Sequence, residues 1–372
     1  MPHDDHYRLY GGDISYYSGK VRAYLRFKGI PFEEYTATRQ VYKEIILPRV
    51  GWPVIPVLVT PDDQTLQDST DIIDALEQRF PEAGIYPEGT CQNLAALLLE
   101  VYGDEWLKIP AMHYRWNHNT HWIIREFGRL SRPDASPEEQ DEIGERTCRP
   151  FRGSLPALGV SEATIPAIET SYEALLRDLD AHLKEHLFLF GSRPSIGDFG
   201  LIGPLYAHQY RDPASGALME RLAPNVAAWV KRMVQPSAVG ASGDFLPNDQ
   251  VPSTLLPVLA RMVAEQWPVL AATRTAFEDW NRLHPDEGIP RSIGAHSFTL
   301  ERRRPLEVEG ERAIFPFDLW MFQRPEDHYR ALNGKDRPAA DALLASIGAD
   351  PAMFANPSST RLTRAAFRLA RS

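Results

Sequence analysis

Tyr7-Arg8-Leu9-Tyr10-Gly11-Gly12-Asp13-Ile14-Ser15-Tyr16-Tyr17-Ser18-Gly19-Lys20-Val21-Arg22 carries a strand, its stop and the start of a helix within sixteen residues. Tyr7 to Tyr10 predicts a short strand that Gly11-Gly12 ends. Ser15 to Gly29 predicts a helix: Val21, Tyr24 and Leu25 share one face, and Gly29 stands where a helix C-terminus favours glycine. Phe32 to Thr36 alternates like a second strand. Val41 to Arg49 has no defined period. The run Gly51-Trp52-Pro53-Val54-Ile55-Pro56-Val57-Leu58-Val59 is strand-like but interrupted at Pro56, because proline is confined to the edge or entry of a strand. A turn at Pro61-Asp62-Asp63 leads to a strand at Thr65 to Gln67. Ile72, Ile73, Leu76 and Phe80 then mark one face of a helix stopped by Pro81. The order is β-α-β, a β-β hairpin, then α. That is a thioredoxin-like plan, and the lack of a glycine-rich dinucleotide loop argues against a Rossmann one.

Outward from this segment the pattern changes. From Asn93 the apolar period is helical, with Leu97, Leu98, Val101, Tyr102 and Trp106 on one stripe and Ile168, Tyr172, Leu175, Leu179 and Leu183 on another. Ser195-Ile196-Gly197-Asp198, ahead of an apolar helix, has the form of a capping box with Asp in place of the usual Glu. Gln235 to Ser253 is rich in Pro, Gly, Ser, Asn and Asp and predicts a linker. Beyond it, helices are expected at Leu255 to Leu270, Phe317 to Leu332 and Pro338 to Ile347, with a hairpin near Phe298 to Phe315. No internal repeat is present. The fold expected is α/β plus all-α: an N-terminal thioredoxin-like domain over 1–84, an all-helical domain over 90–237, and a linker with a mixed C-terminal extension over 238–372.

Bulk properties narrow the function. The 372 residues suggest two domains, or two plus an appendage. A net charge of -10 argues against nucleic-acid binding, which is driven by neutralising phosphates. No apolar run reaches the roughly 20 residues that span a bilayer. The first residues, polar and acidic, have neither the basic start nor the apolar stretch of a signal peptide. Cys91 and Cys148 lie far apart and outside any metal-ligand spacing, so a reducing, cytoplasmic location is expected.

Four motifs, in order and spacing, resemble the glutathione S-transferase superfamily over about residues 5–235. Ser15-Tyr16-Tyr17-Ser18-Gly19-Lys20-Val21-Arg22 is similar to the Ser-x-x-Ser-x-[Arg/Lys]-Val-Arg start of serine-type, zeta- and theta-like enzymes. Val54-Ile55-Pro56 resembles the signature whose proline is cis. Gln67-Asp68-Ser69 resembles the acidic-Ser pair that opens the next helix, and Ser195 to Asp198 resembles the structural cap of the helical domain. The resemblance implies an all-helical glutathione-transferase C-terminal domain, glutathione as substrate, no metal, and a homodimer. It implies Ser15 as the group that activates the thiol, with Tyr16, Tyr17 and Ser18 as neighbours open to the same role and a plain helix cap as the alternative. The thiolate is the nucleophile, and lowering a thiol pKa from about 8.5 to near neutrality takes about 2 kcal/mol, within reach of a hydroxyl donor at a helix N-terminus. Ile55 would pair its backbone with the cysteinyl part beside Pro56. Asp68 and Ser69 would hold the γ-glutamyl end, or simply cap their helix. The chain departs from the pattern at Trp52-Pro53, where polar residues usually bind the glycyl end; Arg49 is the substitute candidate.

A second-substrate pocket for a small hydrophobic electrophile is expected from Tyr16, Tyr102, Trp106, His113 and Trp116, with core packing as the alternative for about half of the aromatic residues there. His113, His118 and His121 suggest no metal site, since residues five apart on a helix diverge by about 140°. In the extension, Arg361, Arg364, Arg368 and Arg371 are spaced three, four and three apart, which predicts one face of a last helix that docks on the acidic body or on an anionic surface or partner, with a solvated helix face as the alternative. The expected activity is thiolate attack on the electrophile, in a detoxifying transferase. The rival readings are a glutathione-dependent isomerase or lyase, a non-catalytic ligand-binding or scaffold protein and, least supported without a cysteine at the Ser15 turn, a thiol-disulfide oxidoreductase.

Overall fold

The computed structural model describes residues 6–235, 243–302 and 306–372. Strand β1 (Tyr7–Gly11) runs into α1 (Tyr16–Phe27) and β2 (Phe32–Thr36), and β3 (Val57–Val59), β4 (Thr65–Gln67) and α2 (Ser69–Arg79) come after them. The sheet order is β2-β1-β3-β4. Tyr7 sits opposite Phe32 in the parallel pair, and Leu9 opposite Leu58 in the antiparallel one. This is the thioredoxin-like arrangement. Leu9, Leu58, Val21, Leu25, Ile72, Ile73 and Leu76 are fully buried, each contributing about 1.5–3 kcal/mol relative to exposure. The stretch that lacked a period, after β2, is helical: Arg39–Val41, a widened turn at Tyr42–Ile46, then Leu47–Val50, ended by Gly51 at φ +81. Only Ile46 and Val50 of it are buried, one turn apart, so two apolar contacts were too few to show a period.

The rest is mostly helical: α3 (Thr90–Val101), a widened turn at Tyr102–Trp106, α4 (Lys108–His118), α5 (Thr120–Ser131), α6 (Pro137–Arg152), α7 (Ile165–Glu185), α8 (Ile196–Ala207), α9 (Pro213–Leu222) and α10 (Pro224–Val234). The Ser195 box is formed: the Ser195 N–H and hydroxyl donate to Asp198 Oδ2 at 2.8 and 2.9 Å, and the Leu189 N–H donates to Oδ1 at 3.1 Å. After it come α11 (Leu256–Glu265), α12 (Trp267–Leu283), the hairpin β5 (Ala295–Arg302) and β6 (Leu306–Ala313), α13 (Pro316–Ala331), α14 (Arg337–Ser346) and the hairpin β7 (Leu362–Ala365) and β8 (Arg368–Arg371). Two compact units result, each discontinuous in sequence. One holds Met1–Ile85, Ala111–Gly153 and Leu201–Gly243; the other holds Tyr86–Pro110, Ser154–Gly200 and Asp244–Ser372. The division into 1–84, 90–237 and 238–372 stays a proposal about sequence modules.

Three expectations for the extension change. The single helix Leu255 to Leu270 is two, α11 and α12, because Pro268 in the first turn of α12 lacks the N–H that would continue α11. The four arginines lie on a hairpin, not a helix: Ala366 and Phe367 turn the chain at φ 47 and 61. Gln323 fixes its first strand, donating to the Leu362 carbonyl and accepting from its N–H, both at 2.8 Å. Arg361 pairs with Asp327, and Arg371 donates to Asn281 and to the carbonyls of Glu287 and His284, so these two charges serve the second unit itself. Of the expected linker Gln235 to Ser253, residues 236–242 lie outside the described residues. Its C-terminal half is stitched down: the Asp249 carboxylate accepts the N–H groups of Cys91 and Gln92 at 2.7 and 2.8 Å. Asp249 supplies the cap that Gly89, lacking a side chain, does not give to α3.

Candidate functional site

Ser15 is the N-cap of α1. Its Oγ accepts from the Ser18 N–H at 3.3 Å and from the Ser18 hydroxyl at 2.9 Å. Ser18 is fully buried, and Gly11 makes room for it: a Cβ at Gly11 would stand 2.7 Å from Ser18 Oγ. With both hydrogen bonds pointing into Ser15 Oγ, its own proton is directed elsewhere, and Ser15 is half-buried rather than enclosed.

Two buried arginines hold the turn that carries Ser15. Arg22 donates to the Gly12 carbonyl at 3.2 Å and grips Glu34 with two prongs at 2.6 and 2.5 Å. Arg115 of α4 donates to the Ile14 carbonyl at 2.8 Å and to Ala207 at 2.6 Å, and meets both Asp212 oxygens at 2.7 and 2.8 Å. Burial pushes the Asp212 carboxyl up, and Arg115 offsets that only in part, so it stays above the usual range. No motif pointed to either partner of this anchor. Asp212-Pro213 reads as a helix cap, yet the Asp212 side chain makes no capping bond and turns to Arg115 instead.

Of the other expected glutathione-binding residues, Ile55, Pro56, Asp68 and Ser69 lie at one end of the same sheet, where β3 begins and β4 ends. The Ile55–Pro56 bond is cis, and Ile55 is half-buried. Among the described residues, the peptide groups of Ile55 make no backbone hydrogen bond, which leaves them open to an extended partner. Gly12 lies against it, since a Cβ there would stand 3.9 Å from Ile55 Cδ1. Asp68 is held at φ 80, ψ 135, and its carboxylate accepts the Thr70 N–H at 2.9 Å as the cap of α2. Ser69 is buried at the first position of α2, and beneath it fully buried Lys20 donates to Thr70 Oγ1 at 3.1 Å. Arg49 is committed elsewhere: it pairs with Asp63 at 2.7 Å and donates to Thr65 at 3.1 Å. Its guanidinium braces the β3–β4 turn rather than standing free for a glycyl carboxylate.

The expected second-substrate residues are all packed. In the first unit, Tyr16 is buried beside His208, at 5.4 Å between ring centroids, with Gly203 so close that a Cβ would touch the tyrosine ring at 3.0 Å. His113 and Trp116 are 1% and 3% exposed. The His113 and His118 rings do not diverge as helix spacing implied; their centroids are 5.2 Å apart at the end of α4. In the second unit, Tyr102 and Trp106 close around Glu265 of α11. Trp106 Nε1 donates at 2.9 Å and Tyr102 OH at 3.5 Å, Ser171 also donates to this carboxyl, and burial pushes it above the usual range. The cavity left there is only about 10 Å³, too small for an electrophile. Tyr102 and Trp106 are core because Glu265, from the extension, fills the place.

Two family models match. "Glutathione S-transferase, N-terminal domain" covers residues 9–84, and "Glutathione S-transferase, C-terminal domain" covers residues 162–232. Similar solved structures include a glutathione S-transferase from Rhodospirillum rubrum F11, 18% identical, covering 66% of this chain and 96% of its own, with a TM-score of 0.40. A glutathione transferase from Phanerochaete chrysosporium in complex with oxidized glutathione is 18% identical over 64% of this chain and 95% of its own, with a TM-score of 0.41. A Drosophila mojavensis homolog with bound glutathione is 18% identical over 64% and 91%, with a TM-score of 0.39. No curated protein matches the chain. Among the described residues, no helix is long and apolar enough to cross a membrane. With both domain models matched in order, the first of them across the strands and helices that frame Ser15, residues 9–84 and 162–232 carry the N- and C-terminal domains of the glutathione S-transferase superfamily.

Proposed function

We propose that the protein binds glutathione and activates its thiolate for attack on a small electrophile, with Ser15 as the hydroxyl donor to sulfur. The observation that carries this is the Ser15 hydroxyl itself: it accepts two hydrogen bonds from Ser18 at the N-terminus of α1, so the proton it has left is free to donate. A thiolate placed there also meets the positive end of the helix. Open peptide groups at Ile55 beside Pro56, and the turn at Asp68-Ser69, supply the remaining contacts that an extended tripeptide needs. A two-fold homodimer, a cytoplasmic location and a detoxifying role belong to the same proposal. A second reading, a ligand-binding or scaffold protein without turnover, is favoured by one feature: Arg49 is held by Asp63 and Thr65. A glutathione-dependent isomerase or lyase is the variant that uses the same thiolate.

Calorimetric titration of glutathione into wild type, Ser69→Ala and Asp68→Ala tests the site. Binding that weakens in both variants supports it, and absence of binding at millimolar glutathione replaces it with the scaffold reading. Ser15→Ala is expected to retain binding and lose most turnover across a panel of aryl halides, enones and epoxides. Unchanged turnover would remove Ser15 from the mechanism.

A further inference from the structure

A groove of about 500 Å³ opens in the first unit between the turn after β2 and the α5–α6 hairpin. Its polar lining is basic. Arg39 comes from the turn, Arg132 from the end of α5 and Arg146 from α6, with Thr147 beside them and Tyr42 and Ile143 as half-buried apolar walls. Two glycines bring these side chains together. A Cβ on Gly128 would stand 1.8 Å from the Gln140 carbonyl oxygen, and one on Gly144 would stand 2.0 Å from that of Ile124. Helices α5 and α6 therefore touch backbone to backbone, and the end of one meets the flank of the other.

The charges are the informative part. The chain carries ten excess negative charges, and two arginines of α5 find carboxylates: Arg125 with Asp141, Arg129 with Glu126. Among the described residues, the Arg39, Arg132 and Arg146 side chains make no ion pair or hydrogen bond, although Glu142 stands one turn before Arg146. The nearest exception is a longer-range influence of Arg132 on Glu139. Three like charges left facing one cavity repel one another, and an anion between them relieves that repulsion. A guanidinium fork matches a carboxylate two-pronged. The walls of Tyr42 and Ile143, and a volume within the range of small-molecule sites, suit a flat apolar body behind that head.

We propose that this groove is a binding site for an aromatic carboxylate, held at its charged end by Arg39, Arg132 and Arg146 and at its ring by Tyr42 and Ile143. It shares no residue with the proposed glutathione site and does not depend on it.

The test is calorimetric titration, without glutathione, of 2-naphthoate and of neutral 2-naphthamide. It uses wild type, the double variant Arg132→Gln/Arg146→Gln, and Arg125→Gln as a basic residue outside the groove. Naphthoate is expected to bind saturably, about tenfold or more weaker in the double variant and weaker as salt is raised, with Arg125→Gln unchanged and naphthamide much weaker. Arg132 and Arg146 are exposed and unpaired, so the double variant is expected to melt with wild type. Equal binding of naphthoate and naphthamide, undiminished binding in the double variant, or no binding at millimolar naphthoate would each overturn the proposal.

Discussion

Arg115–Asp212 and Arg125–Asp141 are both two-pronged arginine–aspartate pairs, and the two arginines stand ten residues apart in the same unit. The first has contacts of 2.7 and 2.8 Å and side chains 4% and 0% exposed; the second has contacts of 3.1 and 3.0 Å and side chains 62% and 42% exposed. Yet the carboxyls shift in opposite directions. The Arg125 hydrogen bond draws Asp141 below its usual range, whereas burial, the larger effect, pushes Asp212 above it. Solvent, not geometry, separates them. Water screens the outer pair until it is worth little, while the inner pair must match its own desolvation and also positions the Ser15 turn.

The largest expected effect is therefore at Arg115. Arg115→Met leaves Asp212 buried without its partner and is expected to cost about 3–5 kcal/mol in urea unfolding. The double variant Arg115→Met/Asp212→Leu should recover much of that. A single-variant cost no greater than that of a surface substitution would break the comparison. Next comes a buried group with no ion pair. His182 is fully buried, shares a hydrogen bond with Thr254 at 2.9 Å, and is lowered to about 4, first by burial and then by His186. Its folded pKa lies below the ordinary 6.5, so the unfolded chain takes up the proton first. Its contribution is full above about pH 6.5 and is lost as the pH falls towards 4, on the order of 3 kcal/mol. Unfolding midpoints across that window should fall for wild type and fall less for His182→Gln; equal slopes would count against burial as the cause. The smallest effect is at Arg125→Gln, expected to leave the melting temperature unresolved from wild type. A clear drop there would mean that exposure does not neutralise the pair.

The same contrast explains what the chain made legible. The strands, α1 and α2, the cis proline and the Ser195 box were readable because each rests on local pattern: period, capping chemistry and turn residues within a few positions. The anchor of the Ser15 turn was not, because Arg115, Asp212 and Ile14 meet across some two hundred residues and none has a periodic signature. The aromatic stripe at Tyr102 and Trp106 misled for a related reason. An apolar helix face looks alike whether it faces a ligand or a distant segment, and here Glu265 occupies it. The terminal arginines fitted a helical spacing that the Gln323 contacts to Leu362 overrode.

By itself, then, the sequence determined the thioredoxin-like plan, the family and the residues around Ser15, since these arise from short-range backbone preferences and from motifs whose spacing is conformational. Only the tertiary structure decided which charges are buried, which aromatic residues are core, that the extension shares a compact unit with Tyr86–Pro110 and Ser154–Gly200, and where three unpaired arginines gather. Desolvation and close packing depend on what surrounds a side chain, and residues far apart in the chain supply those surroundings.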